Sequence, residues 1–352
     1  MQTYRWPALD HLLAMTDDVG VLQHATLDVP NRSCGYCTDD VGRALIVACD
    51  AAGRHATEAD GARLVTTYLA YLHDAQHPDG WFHNFMGYDR RWQDARGSGD
   101  AVGRAVWGLG YAERYAPRAT WRTLAGRLRR SALAAIPQME YVRPRVYAAL
   151  GLVHALDARP DDELAVRAVL DEALATLADA YDATADDDWR WCEDVLIYDN
   201  ARLCEALLRG GVALKSRRYI DVGLAMLAFY TSVVIEDDVF VPIGNDGWYP
   251  RAGVRARWGQ QPLEAAALVA AAFAALDVTG EPRWRTVAEI AHGWYFGRNA
   301  HRIALANELG CCRDGLDETA MNPNMGAEST ICYLMSAIAM AKRSTTALTI
   351  AR

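Results

Sequence analysis

Apolar residues recur along almost the whole chain with the 3.6-residue period of an α-helix, and the helices so predicted come in two alternating kinds. Segments near 38–53, 99–115, 141–157, 196–211, 261–278 and 325–342 are rich in Ala, Gly, Cys and Leu and carry little charge beyond their first turn. Segments near 57–76, 118–136, 161–182, 216–236 and 281–297 carry charged faces, and a short helix near 7–15 brings the total to twelve. A helix that is apolar all round is buried, whereas one with a charged face lies outside. The alternation describes an all-α fold, an (α/α)6 toroid of six inner helices ringed by six outer ones. An open solenoid would need polar capping repeats; the loops here are instead unequal and rich in Trp, Asn and Asp. No Pro/Ser-rich linker interrupts the pattern, so residues 1–352 are expected to form one domain. Valine- and aromatic-rich stretches around 80–90 and 233–249 predict short β-hairpin loops at the pocket mouth.

Two inner helices open with the same words. CTDDVGRALIVACDAAGR at 37–54 has a near copy, GSGDAVGRAVWGLGYAER, at 97–114, so that Asp39, Gly42 and Arg43 recur as Asp100, Gly103 and Arg104, 61 residues on. Asp40 adds a second carboxylate to the first copy. The other inner helices also begin with polar groups their apolar bodies do not need. Arg143 opens the third, and Glu193, Asp194, Tyr198, Asp199, Asn200 and Arg202 surround the start of the fourth. Glu264 opens the fifth, with Asn324 and Glu328 at the sixth. Helix capping accounts for Thr38, Asp39, Ser98 or Asp100 taken singly, at about 1 kcal/mol each. It does not explain why arginines follow within a turn.

Six converging helix starts lined with carboxylates, amides and guanidiniums suit a sugar-binding funnel. The loops supply Trp81 and Asn84 in DGWFHNFMGYDRRW, Trp191 in WRWCED, and Asp246 and Trp248 in NDGWY. Indole faces stack on the CH faces of pyranose rings, and planar polar groups hydrogen-bond vicinal hydroxyls. With 11 Trp and 16 Tyr against 6 Phe, the aromatics favour rings with polar handles.

Other classes are disfavoured. A net charge of −9 with scattered basic residues argues against a nucleic-acid partner. The start of the chain lacks a basic segment followed by a long apolar one, and the apolar run at 265–276 is short and alanine-rich; no membrane association and a cytoplasmic location are therefore expected. Eight cysteines, including the Cys34/Cys37 pair, lack the second pair or histidines of a zinc site and read as packing thiols. No dinucleotide, phosphate-loop or HExxH pattern occurs, so no metal and no cofactor are expected. Self-association into a homo-oligomer stays open.

The assembled motifs GYCTDDVGRAL, DGWFHNFMGYDRRW, GSGDAVGRAVW and DGLDETAMNPNMGAEST resemble a bacterial glycosyltransferase-associated group within the six-hairpin glycosidase superfamily. The resemblance spans nearly the whole chain and implies the (α/α)6 toroid. For its hydrolases it also implies an acid/base pair of carboxylates, held about 6.5–9.5 Å apart in inverting members. One of Asp39, Asp40 or Asp100 is expected to form half of the pair, and Glu193, Asp194 or Glu328 the other. Glu193, set among tryptophans, is favoured as acid, and Asp40, a turn before Arg43, as base. Arg43, Arg104, Arg202, Asn84, Asn200 and Asn324 are then candidates for positioning a short oligosaccharide. On the same toroid, an epimerase or isomerase would want paired histidines, for which His83 and His301 are available. A lyase or phosphorylase would use the arginines to hold a carboxylate or phosphate. A non-catalytic carbohydrate-binding partner of a glycosyltransferase is the alternative outside enzymes.

Overall fold

A computed structural model of the chain describes residues 4–350. In chain order the first helices are α1 (Asp10–Met15), α2 (Thr38–Ala52), α3 (Glu58–Ala75), α4 (Gly99–Tyr115), α5 (Ala119–Ala132) and α6 (Val142–Ala158). Then follow α7 (Glu163–Thr184), α8 (Asn200–Leu214), α9 (Arg217–Val234), α10 (Pro262–Thr279), α11 (Arg283–Gly293) and α12 (Ala327–Ile350). The even-numbered helices form the inner ring: α2 packs on α4, α4 on α6, α6 on α8, α8 on α10 and α10 on α12. Helix α12 returns to α2, so the ring closes. Each inner helix carries the odd-numbered neighbour expected of a hairpin, and α1 covers α12. The architecture is the (α/α)6 toroid.

The glycines of the repeated motif sit where inner helices cross. A Cβ on Gly103 would lie 2.3 Å from the Pro144 carbonyl oxygen of α6, and one on Gly42 would lie 2.5 Å from the Arg104 carbonyl oxygen of α4. Both contacts are backbone against backbone, so a side chain there has nothing soft to displace. Ser98 caps α4, its hydroxyl accepting from the Ala101 N–H at 3.3 Å. Thr38 does not cap α2: its hydroxyl donates instead to the His83 carbonyl at 2.6 Å, tying the helix start to the neighbouring loop. Helix α10 is long and apolar enough to cross a membrane, but 72% of it is buried inside the ring, as a core helix should be.

Sequence and structure differ at the edges. The segment expected at 118–136 stops as α-helix at Ala132 and continues as a 3-10 turn, Leu133–Gln138, containing Pro137. Proline lacks the N–H and crowds the preceding turn, so an α-helix cannot run on through it. Strands are only two residues long, and the pairs include Tyr36–Cys37 with Phe85–Met86, Val195–Leu196 with Tyr249–Pro250, and Gly315–Leu316 with Met321–Asn322. These lead into α2, α8 and α12 and brace the loops at that mouth. Two residues have no period, which is why alternation in the sequence located only some of them.

Candidate active site

The N-terminal ends of α2, α10 and α12 surround a cavity of about 350 Å³, within the roughly 300–1,000 Å³ of small-molecule sites. Asp39, Asp40 and Arg43 enter it from α2, Gln261 and Pro262 from the start of α10, and Glu328 and Ser329 from α12. The loops add Gln23, His24, Cys37, Phe85, Asn245, Asp314, Asp317 and Asn322.

Arg43 organises this cavity. Its side chain is 3% exposed and donates through Nη2 to Asp40 and through Nη1 to Glu328, each at 2.7 Å. Asp40 is almost fully buried, and burial outweighs the Arg43 charge, pushing its carboxyl up to about 7. Burial likewise raises Asp39 to about 6 against the pull of Arg104 and Arg43, and its Oδ1 is buried with no hydrogen-bond partner. Glu328 goes the other way. Burial works to raise it, but Arg43 and Arg104 outweigh that and hold it below the usual glutamate range. Its side chain is 41% exposed toward the opening. One cavity thus presents carboxyls whose proton affinities are driven apart.

Beside the cavity lies a second, mostly buried polar layer built by the other predicted residues. Arg104 donates to the Tyr147 hydroxyl at 3.1 Å and stacks 4.2 Å above that ring, with its Nε and Nη1 unpartnered. Asp199, in the left-handed region at φ 53°, stands 3.7 Å from both Arg104 and Arg202. Its N–H donates to Glu264, which also accepts from the Tyr230 hydroxyl at 2.9 Å. Burial and the Asp199 charge raise Glu264 to about 8. Tyr198 donates to Asp100 at 3.2 Å. Arg143 holds the Tyr198 carbonyl at 2.7 Å and Asn200 at 3.3 Å. Arg202 pairs with Glu205 at 2.5 Å.

Several expected residues stand elsewhere. Glu193 does not line the cavity; both its oxygens accept from Arg143 Nη1, at 3.0 and 2.9 Å, so the tryptophan-rich segment ends in an ion pair. Asp194 is 80% exposed beside Arg251, and Asp246 is exposed on its loop. Trp191 is completely buried against Tyr230, and the face of Trp81 is covered by Arg96 at 3.7 Å. Trp248 packs toward Tyr198. None of these three indoles lines the cavity; its aromatic wall is Phe85. Asn84 accepts from the Cys37 thiol, and Asn324 donates to Asp314 and accepts from the Ala25 N–H, so both hold loops together. His83 is engaged by Asp94 and stacked on Trp92, and His301 is stacked on Trp258. The histidine at the cavity is His24, brought there by the 23–36 loop and carrying no motif that would single it out. Gln23, Asp314 and Asp317 were likewise invisible to motif reading; the last two lie in the quoted segment that leads into α12.

No family model matches the sequence, and no curated protein matches it at a significant level. Solved structures do match in shape. Cellobiose 2-epimerase from Bacillus thermoamylovorans superposes with a TM-score of 0.72 at 10% identity, over 96% of this chain and 95% of that one. A D-mannose isomerase gives 0.69 at 10% identity, over 94% of each chain. A GH76 α-mannanase from Bacteroides thetaiotaomicron gives 0.62 at 10% identity, over 96% and 95%. What this chain shares with these structures is the (α/α)6 toroid, found here in a sugar epimerase, a sugar isomerase and a mannanase.

Proposed function

We propose that this protein is a glycoside hydrolase acting on short oligosaccharides, with Asp39 as general acid and Glu328 as general base. The observation that carries the reading is the divergence of these two carboxyls within one sugar-sized cavity. Asp39 keeps a proton into the mildly acidic range, as a group meant to protonate a leaving oxygen should. Glu328 is kept ionised by Arg43 and is open enough to accept a proton from an attacking water. In the inverting form, water adds to the anomeric carbon from the Glu328 side as the glycosidic bond breaks and Asp39 delivers its proton to the departing oxygen. Asp40, tied to Arg43, fixes the guanidinium rather than the substrate.

The test is turnover of a panel of aryl and short-chain glycosides by wild type, Asp39→Asn and Glu328→Gln. Each variant should lose roughly 10²–10⁴-fold in kcat, with ligand binding retained and the first-formed anomer inverted by NMR. Full turnover in either variant sinks the assignment. His24 on the cavity wall supports a second reading, proton removal from C2 of an open-chain aldose. That reading requires solvent deuterium at C2 of recovered sugar and loss of exchange in His24→Ala.

A further inference from the structure

The charge on the cavity wall is lopsided. Five carboxyl groups line it, Asp39, Asp40, Asp314, Asp317 and Glu328, against Arg43 and His24. Arg43 is largely engaged by the protein itself: Nη2 is bonded to Asp40, Nη1 to Glu328 and the Cys332 sulfur, and its unpartnered Nε is buried away from solvent. Arg104, which also has unpartnered N–H groups, does not line the cavity. An unsatisfied acceptor, by contrast, is present: Asp39 Oδ1 is buried without a donor. Such a wall is completed by a ligand that donates hydrogen bonds. A ligand carboxylate or phosphate would be desolvated against an excess of like charge, facing a guanidinium already paired with two of those acids, an arrangement that sets specificity by repulsion.

We propose that the cavity is a charge filter, taking a sugar that is neutral or bears an ammonium group and turning away uronates and sugar phosphates. The inference rests on reading this cavity as the sugar pocket, but not on the reaction performed there. It leaves no place for the phosphate of a phosphorylase or the uronate of a lyase.

Binding measures it without turnover. The full chain is titrated calorimetrically with glucose, mannose, glucosamine, mannosamine, glucuronate, glucose 6-phosphate and mannose 6-phosphate at about 50 mM and about 500 mM salt. Each anionic sugar should bind at least ~10-fold more weakly than its neutral parent at low salt, and each amino sugar at least as tightly. High salt should narrow the gap, and so should Asp317→Asn, which removes a rim charge and localises the effect to this cavity. An anionic sugar that binds as tightly as its parent at low salt overturns the filter. A preference indifferent to both salt and Asp317→Asn overturns it too. If no sugar on the panel binds, the cavity is not the sugar pocket and both readings fall together. If the order holds but no glycoside is turned over, the hydrolase reading fails and the filter stands.

Discussion

Replacing Asp40 by Asn should stabilise the protein at alkaline pH relative to wild type while changing it little in acid. Burial raises this carboxyl from its ordinary 3.8 to about 7, even with Arg43 bonded to it. The folded state therefore holds a proton that the unfolded chain has already released across that interval. With more protons bound in the native state, the contribution of Asp40 to wild-type stability falls as pH rises from the unfolded value toward about 7, and levels off above it. At about 1.4 kcal/mol for each pH unit, the whole interval amounts to roughly 4 kcal/mol. Asparagine carries no ionisation and keeps an oxygen to accept from Arg43. Urea denaturation of both proteins at about pH 4.5 and about pH 8 isolates the effect. Between those two points Asp40→Asn should gain roughly 3 kcal/mol on wild type. A stability difference that does not change with pH would refute the argument, because Asp40 would then be ionising as it does in water.

Three further outcomes follow from the same geometry. Gly103→Ala should cost about 3 kcal/mol in denaturant unfolding, the upper end for overpacking, because the new Cβ meets the Pro144 backbone at 2.3 Å. Glu193→Gln should lower stability by about 1–3 kcal/mol through its ion pair with Arg143. Its kcat on the best glycoside should nevertheless stay within about threefold of wild type, whereas a catalytic acid there would abolish turnover. With Asp39 as acid, kcat/KM should decline as pH rises through about 6. The base limb, set by Glu328, should lie below the ordinary glutamate range and move up in Arg43→Gln.

The ring was legible in the sequence because burial leaves a mark on every turn of a helix. Small residues on α2, α4 and α10 and charged faces on α3, α5 and α7 distinguish inner from outer before any contact is known. The DxxGRA repeat was informative for the same reason, since Gly42 and Gly103 are where inner helices touch. The site was only half legible. Asp39, Asp40, Arg43 and Glu328 were marked by polar groups at the heads of buried helices, and all four line the cavity. The placing of the tryptophans was not legible, because an indole fills a core as readily as it stacks on a sugar; Trp191 packs against Tyr230 and Trp81 under Arg96, outside the cavity. The ion pair that holds Glu193 outside the cavity was not legible, because its partner, Arg143, lies 50 residues away and no local spacing announces the pair. His24 and Asp317 reach the cavity on irregular loops, where side-chain direction follows from tertiary pairing rather than from any period.

The bond between Arg43 and Glu328 spans 285 residues, and it lies where α12 meets α2. It is the clasp of the necklace as well as a wall of the cavity. Compared with joining the neighbouring copies of the repeat, 61 residues apart, bringing these ends together costs only about 1.4 kcal/mol more in chain entropy. The burden falls instead on time, since a contact so distant in sequence forms late. Until it forms, Glu328 lacks the cation that keeps it ionised, whereas Asp40 keeps its bond to Arg43, three residues on in the same helix. A ring sprung open at this seam would keep most of its helices and lose the proposed chemistry outright, so turnover would report closure more sharply than helical signal could.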